Sequence, residues 1–155
     1  MTKGEVFYDA AKAQVDEQDT RRQHFDTMAS SVLGFAAILV GLTSFTVGRW
    51  LTLSTALFFL MLATFASVAF FVLQELWLRG WKQQPKIGDL EQHAKDAQYD
   101  DETIVTWTAR QLGRAVKENE CTLTEKAEAL RFAYFALVFH VGATAAFIAS
   151  VAAKA

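Results

Sequence analysis

Three histidines, one cysteine and a few clustered charges are the residues with which this 155-residue chain could do chemistry. Their spacing assembles no familiar catalytic set. There is no Gly-rich phosphate loop, no Gly-x-Ser-x-Gly, no Cys-x-x-Cys and no His-Glu-x-x-His. His24 and His93 fall in charged segments and His140 in a long uncharged one, so the three do not make one metal site. Cys121 is alone and cannot close an internal disulfide. Asp100-Asp101-Glu102 reads either as a divalent-cation cluster or as a helix start, where acids gather on the positive end of the dipole. Arg110, Arg114 and Lys117 recur at i, i+4 and i+7 on one helical face. With Arg21 and Arg22 they are candidate contacts for a nucleotide or a lipid headgroup. The alternative is a solvated basic face paired with Glu118, Glu120 and the acidic N-terminal helix. Asp26 with Glu75 is too thin a set for a membrane enzyme. No enzymatic activity, cofactor or metal is therefore expected, and a net charge of −2 gives no bulk attraction to nucleic acid.

The elements that must position these residues follow from where charge is missing. All 32 charged residues lie outside three runs, Thr27 to Gly48, Trp50 to Gln74 and Phe132 to Ala153, which together take 69 positions. Each run is long enough for a helix to cross the ~30 Å hydrocarbon layer, which needs about 20 apolar residues. A soluble globular enzyme is excluded on that pattern. The expected class is all-α and integral to a membrane: a tight transmembrane hairpin, a third span and a small cytoplasmic helical bundle. The expected organisation is a cytoplasmic amphipathic helix over 1–26, the hairpin over 27–74, a cytoplasmic helical region over 75–131 and the third span over 132–155.

Only Arg49 separates the first two runs, flanked by Gly48 and Trp50, so the chain must turn there at an interface. Of 15 Lys and Arg residues, 13 lie before the first run or between the second and third. The positive-inside rule then places the N-terminus and the long loop in the cytoplasm and the C-terminus outside, as in a multi-pass protein of a cell inner membrane. Trp77, Trp81 and Tyr134 belong near the inner interface. The first 26 residues are too charged, and the first run too long, for a cleavable leader.

Within the loop, Arg79-Gly80 and Pro85 to Gly88 read as breaks. Leu90, His93, Ala94 and Ala97 carry a short helical stripe, and Asp100 or Asp101 is the next N-cap. Thr122-Leu123-Thr124-Glu125 fits a capping box. Either a helix starts there, or one helix of about 50 residues runs from Asp101 into the third span; the absence of Pro or Gly between Gly113 and the third run favours continuity.

His140 lies eight residues past Phe132, about 12 Å into the layer at 1.5 Å per residue. An ionisable group at that depth faces protein or a wet cavity. It belongs to an ion path or gate with Thr144, or it is a neutral imidazole bonded to Thr43, Ser44, Thr64 or Ser67. A pore would be lined by His140, Thr144, Thr43, Ser54 and Thr64. Small residues four apart mark close helix contacts, because lipid tails supply no hydrophobic drive between helices. Ser30 with Gly34 and Ala37 with Gly41 do so in the first span, and Gly142, Ala146 and Ser150 in the third. They exceed what one three-helix packing obviously uses, so a homo-oligomer in the lipid bilayer is expected.

The stretch Asp26-Thr27-Met28-Ala29-Ser30-Ser31-Val32-Leu33-Gly34-Phe35-Ala36, with Asn119, Lys126 and Leu130 before the third run, resembles small bacterial and archaeal membrane proteins of the SLATT and Pycsar-effector type. These carry a tight two-span hairpin and a helical cytoplasmic loop, many with a third span. Met28 departs from the lysine common there. The resemblance implies an effector or ion-channel-like protein of antiviral defence, triggered by a sensor protein or a nucleotide ligand, that compromises the membrane after assembling. The alternative is a non-conducting anchor or scaffold that recruits a cytoplasmic partner.

Overall fold

The structure, a computed structural model, describes residues 3–44, 52–77 and 100–153. The turn at Gly48, Arg49 and Trp50, the side chains of Ser44 and Ser54, Trp81, and the breaks and short helix expected between Arg79 and Tyr99 lie outside the described residues. Those described form three helices and no strand: α1 (Lys3–Ser44), α2 (Thr52–Trp77) and α3 (Asp101–Ala152). Each is long and apolar enough to cross a membrane. At 26 residues, α2 spans about 39 Å at 1.5 Å per residue, more than the hydrocarbon layer needs.

Asp100 caps α3. Its Oδ1 accepts the Thr103 amide hydrogen at 2.9 Å, while its carbonyl accepts from the Ile104 amide. The Thr103 hydroxyl and amide hold this carboxyl below its ordinary value. The cap is therefore in place above the unfolded carboxyl's pKa and is lost as pH falls through the lowered folded one. Asp100→Ala is expected to speed amide exchange at Thr103 at neutral pH, measured by NMR, and to leave exchange in the middle of α3 unchanged. The helix does not restart at Thr122. It runs through, and the Thr124 hydroxyl donates to the Glu120 carbonyl one turn back at 2.9 Å, a bond available only inside a helix.

The chain divides into two compact units, Met1–His24 with Arg79–Thr124, and Phe25–Leu78 with Glu125–Ala155. In the first, α1 and α3 run parallel, with Gly4 beside Thr106 and Gln18 beside Val116. A Cβ on Gly4 would stand 3.2 Å from Thr106 Oγ1, so the missing side chain lets the backbones approach. Val15, Leu112, Ala115 and Leu123 are buried here, together with Asn119. Gln18 Nε2 donates to the Val116 carbonyl and to Glu120 Oε2, whereas its Oε1 is buried with no partner among the described residues.

In the second unit, α2 joins antiparallel to the same two helices around Ala29, Val32, Ala36, Val68, Val72, Leu130 and Ala133. Glu125 to Arg131 belongs here because Lys126, Ala129 and Leu130 are buried in it. Phe71 stacks on Phe132 and Phe58 packs against Phe147, closing the α2–α3 seam with aromatic area.

The inward positions keep a seven-residue step. On α1 they are Val15, Arg22, Ala29, Ala36 and Thr43; on α2, Met61, Val68 and Glu75; on α3, Leu112, Asn119, Lys126, Ala133, His140 and Phe147. Such rows let neighbouring helices interdigitate at shallow crossing angles. Five buried polar residues, Thr43, Glu75, Asn119, Lys126 and His140, sit on these rows, which aims them at the partner helices.

Candidate functional site

At the charged end of the second unit, the three helices meet on one ammonium group. Lys126 of α3 donates from Nζ to Asp26 Oδ1 of α1 at 2.8 Å, and to the Glu75 carbonyl and Glu75 Oε1 of α2 at 2.8 and 3.0 Å. An ammonium has three hydrogens, and here three oxygens take them. The Glu75 carbonyl lies in the last turn of α2, where carbonyls lack helical partners, so Lys126 also caps that helix against its negative dipole end. The Lys126 and Glu75 side chains are 2% and 0% exposed, and Asp26 is 33% exposed. Glu75 Oε2 is buried without a partner among the described residues. Removing one member of such a buried set leaves an uncompensated charge, which outweighs what any surface pair contributes.

Deeper in the unit, His140 is fully buried and bonded to both neighbouring helices. Its Nε2 lies 3.3 Å from the Ala36 carbonyl of α1, and its Nδ1 lies 3.1 Å from Thr64 Oγ1 of α2. A carbonyl oxygen can only accept, so Nε2 carries the hydrogen, and the tautomer this requires leaves Nδ1 to accept from the Thr64 hydroxyl whenever the ring holds a single proton. That hydroxyl also lies 2.8 Å from the Met61 carbonyl, so its one hydrogen is shared between two acceptors. Of the four partners expected, the structure selects Thr64 and adds a backbone carbonyl. Thr144, one turn on, is buried with its hydroxyl unpartnered among the described residues, and Thr43 is buried with its hydroxyl on the Val40 carbonyl. His140, Thr144 and Thr43, all singled out for a pore, are thus buried inside the three-helix unit, and half-buried Thr64 bonds to His140. Interhelical bonds in lipid average about 0.6 kcal/mol. His140→Leu, losing two, is expected to cost about 1 kcal/mol, read as a modest fall in thermal midpoint in detergent.

The small residues take the opposite side. Ser30, Gly34, Ala37 and Gly41 are exposed on α1, whereas Ala29, Val32 and Ala36 make its contacts. Gly142 and Ala146 are exposed on α3 and Ser150 is half-buried. A Cβ at Gly34, Gly41 or Gly142 would meet nothing within 4 Å.

In the first unit, Arg21 pairs with Glu17 and Arg22 with Asp19, both on their own helix. Arg110, Arg114 and Lys117 are exposed. Arg110 borders a hollow of about 550 Å³ that Asp100 and Glu102 also line, so carboxylates already face the charge an anion would seek. Among the described residues no group of three or more His, Cys, Asp or Glu could hold a metal ion.

No protein-family model, curated protein or solved structure matches this chain.

Proposed function

We propose that the chain is a three-span protein of a cell inner membrane, with its N-terminus and the Glu75–Arg131 segment cytoplasmic and its C-terminus outside. It acts by self-association, as a membrane-disrupting or channel-like effector of bacterial or archaeal defence signalling. Its cytoplasmic helices receive the trigger from a sensor protein or a nucleotide ligand. The observation that carries this reading is the uncovered small-residue face of α1, with a second on α3. The three-helix unit packs through other positions, so these faces stay free for another copy, where close backbone approach drives association in lipid.

A second reading, a non-conducting anchor or scaffold, is favoured by the inward placement of His140, Thr43 and Thr144. The outer surface offers large apolar side chains and small residues, and its serines Ser30, Ser31 and Ser67 bond back to their own helices, so it supplies no continuous polar lining. Conduction therefore requires the three helices to part. One experiment separates the readings: mass in detergent, followed by dye release from liposomes. An oligomer that releases dye supports the effector, an oligomer that does not supports the anchor, and a strict monomer overturns self-association.

A further inference from the structure

Where the charged and uncharged stretches of α3 meet, the second unit carries a groove of about 380 Å³ between α1 and α3. Phe25, Leu130, Phe135 and Val138 form apolar walls, and Arg131 and Tyr134 stand at the rim. The Arg131 guanidinium lies 5.7 Å from the Phe135 ring centre, spread along the groove rather than turned away from it. Arg131 makes no ion pair among the described residues. Asp26, the carboxylate beside Phe25, is held by Lys126, and Glu128, one turn before Arg131, is exposed and not paired with it.

We propose that this groove is a site for one anionic phospholipid, resting on the membrane reading above. An acyl chain lies against Phe25, Leu130, Phe135 and Val138, and the phosphate takes the Arg131 guanidinium, with the Tyr134 hydroxyl donating beside it. The charge requirement selects this occupant. A guanidinium at the edge of hydrocarbon takes an anion with two acceptor oxygens in reach of its fork, which the non-bridging oxygens of a lipid phosphate supply at that depth. The apolar walls need a chain attached to that anion, which free phosphate lacks. A second copy would bring an uncharged run against Arg131, since none of the three apolar runs carries a carboxylate.

The test is lipid retention by the whole chain purified in detergent, followed by native mass spectrometry and thermal midpoint. Phosphatidylglycerol, phosphatidylcholine and inorganic phosphate are added in separate arms. One phosphatidylglycerol per chain is expected, with stabilisation that phosphatidylcholine and phosphate do not reproduce. Arg131→Gln is expected to weaken retention about fivefold, as for one basic residue at an anionic surface. Arg131→Lys should restore part of it. Val138→Trp fills the groove from an exposed position and is expected to lower retention while Arg131 stays in place. Equal retention of both lipids, stabilisation by phosphate alone, no effect of Arg131→Gln, or an Arg131→Gln change in oligomer mass instead of lipid count overturns the site. A chain that stays dissolved without detergent overturns the membrane reading and the site with it. A detergent-dependent chain with no lipid preference overturns the site alone.

Discussion

Lys126→Met is expected to destabilise the protein by about 3–5 kcal/mol, the cost of breaking a buried ion pair from one side. Methionine keeps most of the stem volume, so packing is nearly preserved and the loss is electrostatic. Glu75 would then sit fully buried with neither carboxylate oxygen bonded to an ammonium, and its carbonyl would lose its cap. The double variant Lys126→Met with Glu75→Gln is expected to recover more than half of the loss, because replacing a buried pair by neutral groups is often close to neutral. Asp26→Asn should cost least, since Asp26 is a third exposed and water can replace part of its contact. Unfolding in mixed micelles with rising SDS measures all three. A Lys126→Met cost below about 1 kcal/mol, no larger than that of His140→Leu, would mean the cluster contributes no more than an ordinary interhelical bond.

Gly34→Leu combined with Gly142→Leu is expected to leave the three-helix unit folded and to break the self-association proposed for it. Neither new side chain meets anything within 4 Å in one copy, and leucine favours a helix over glycine by roughly 0.8–1 kcal/mol per site. A face meant for close backbone approach has no room for it, and overpacking costs about 1–3 kcal/mol. At 1.4 kcal/mol per decade, that is roughly a five- to 150-fold loss of association. Oligomer mass should fall to the monomer and dye release should fall with it. Gly113→Leu, in the first unit and equally uncrowded, is the matched control and should change neither. If the double variant keeps its mass, these faces meet lipid and not protein.

The helices were legible because their signals are local. Uncharged runs mark the apolar segments, Asp100 sits where an N-cap belongs, and no Pro or Gly lies between Gly113 and the third run, so α3 continues. The Lys126 cluster was not legible in the same way. Its partners are 51 and 100 residues away, and Lys126 enters the sequence only as one more positive charge and as a residue of the family resemblance. A faint signal exists. Asp26 and Glu75 are the charges immediately bordering two uncharged runs, and Lys126 stands two heptads before His140 on the same row. His140 illustrates a harder case. Thr64 could be guessed as a partner because hydroxyls show in the sequence, but any residue can offer a carbonyl, so Ala36 carries no mark. Its small side chain is what lets the imidazole reach the backbone. For Arg21 and Arg22 the local sequence carried the pairing: Glu17 and Asp19, four and three residues earlier, lie within reach on the same helix.

The distance along the chain between Glu75 and Lys126 also has a bearing on biogenesis. A ribosome delivers Asp26 and Glu75 well before it delivers the lysine that will neutralise them. Until then α1 and α2 hold a carboxylate that the folded protein keeps entirely dry, so this end of the nascent pair must remain in water or against another chain. Arrival of the final helix closes it. On the membrane reading proposed above, a truncated product ending before Lys126 is consequently left with an unmatched acid at the lipid border.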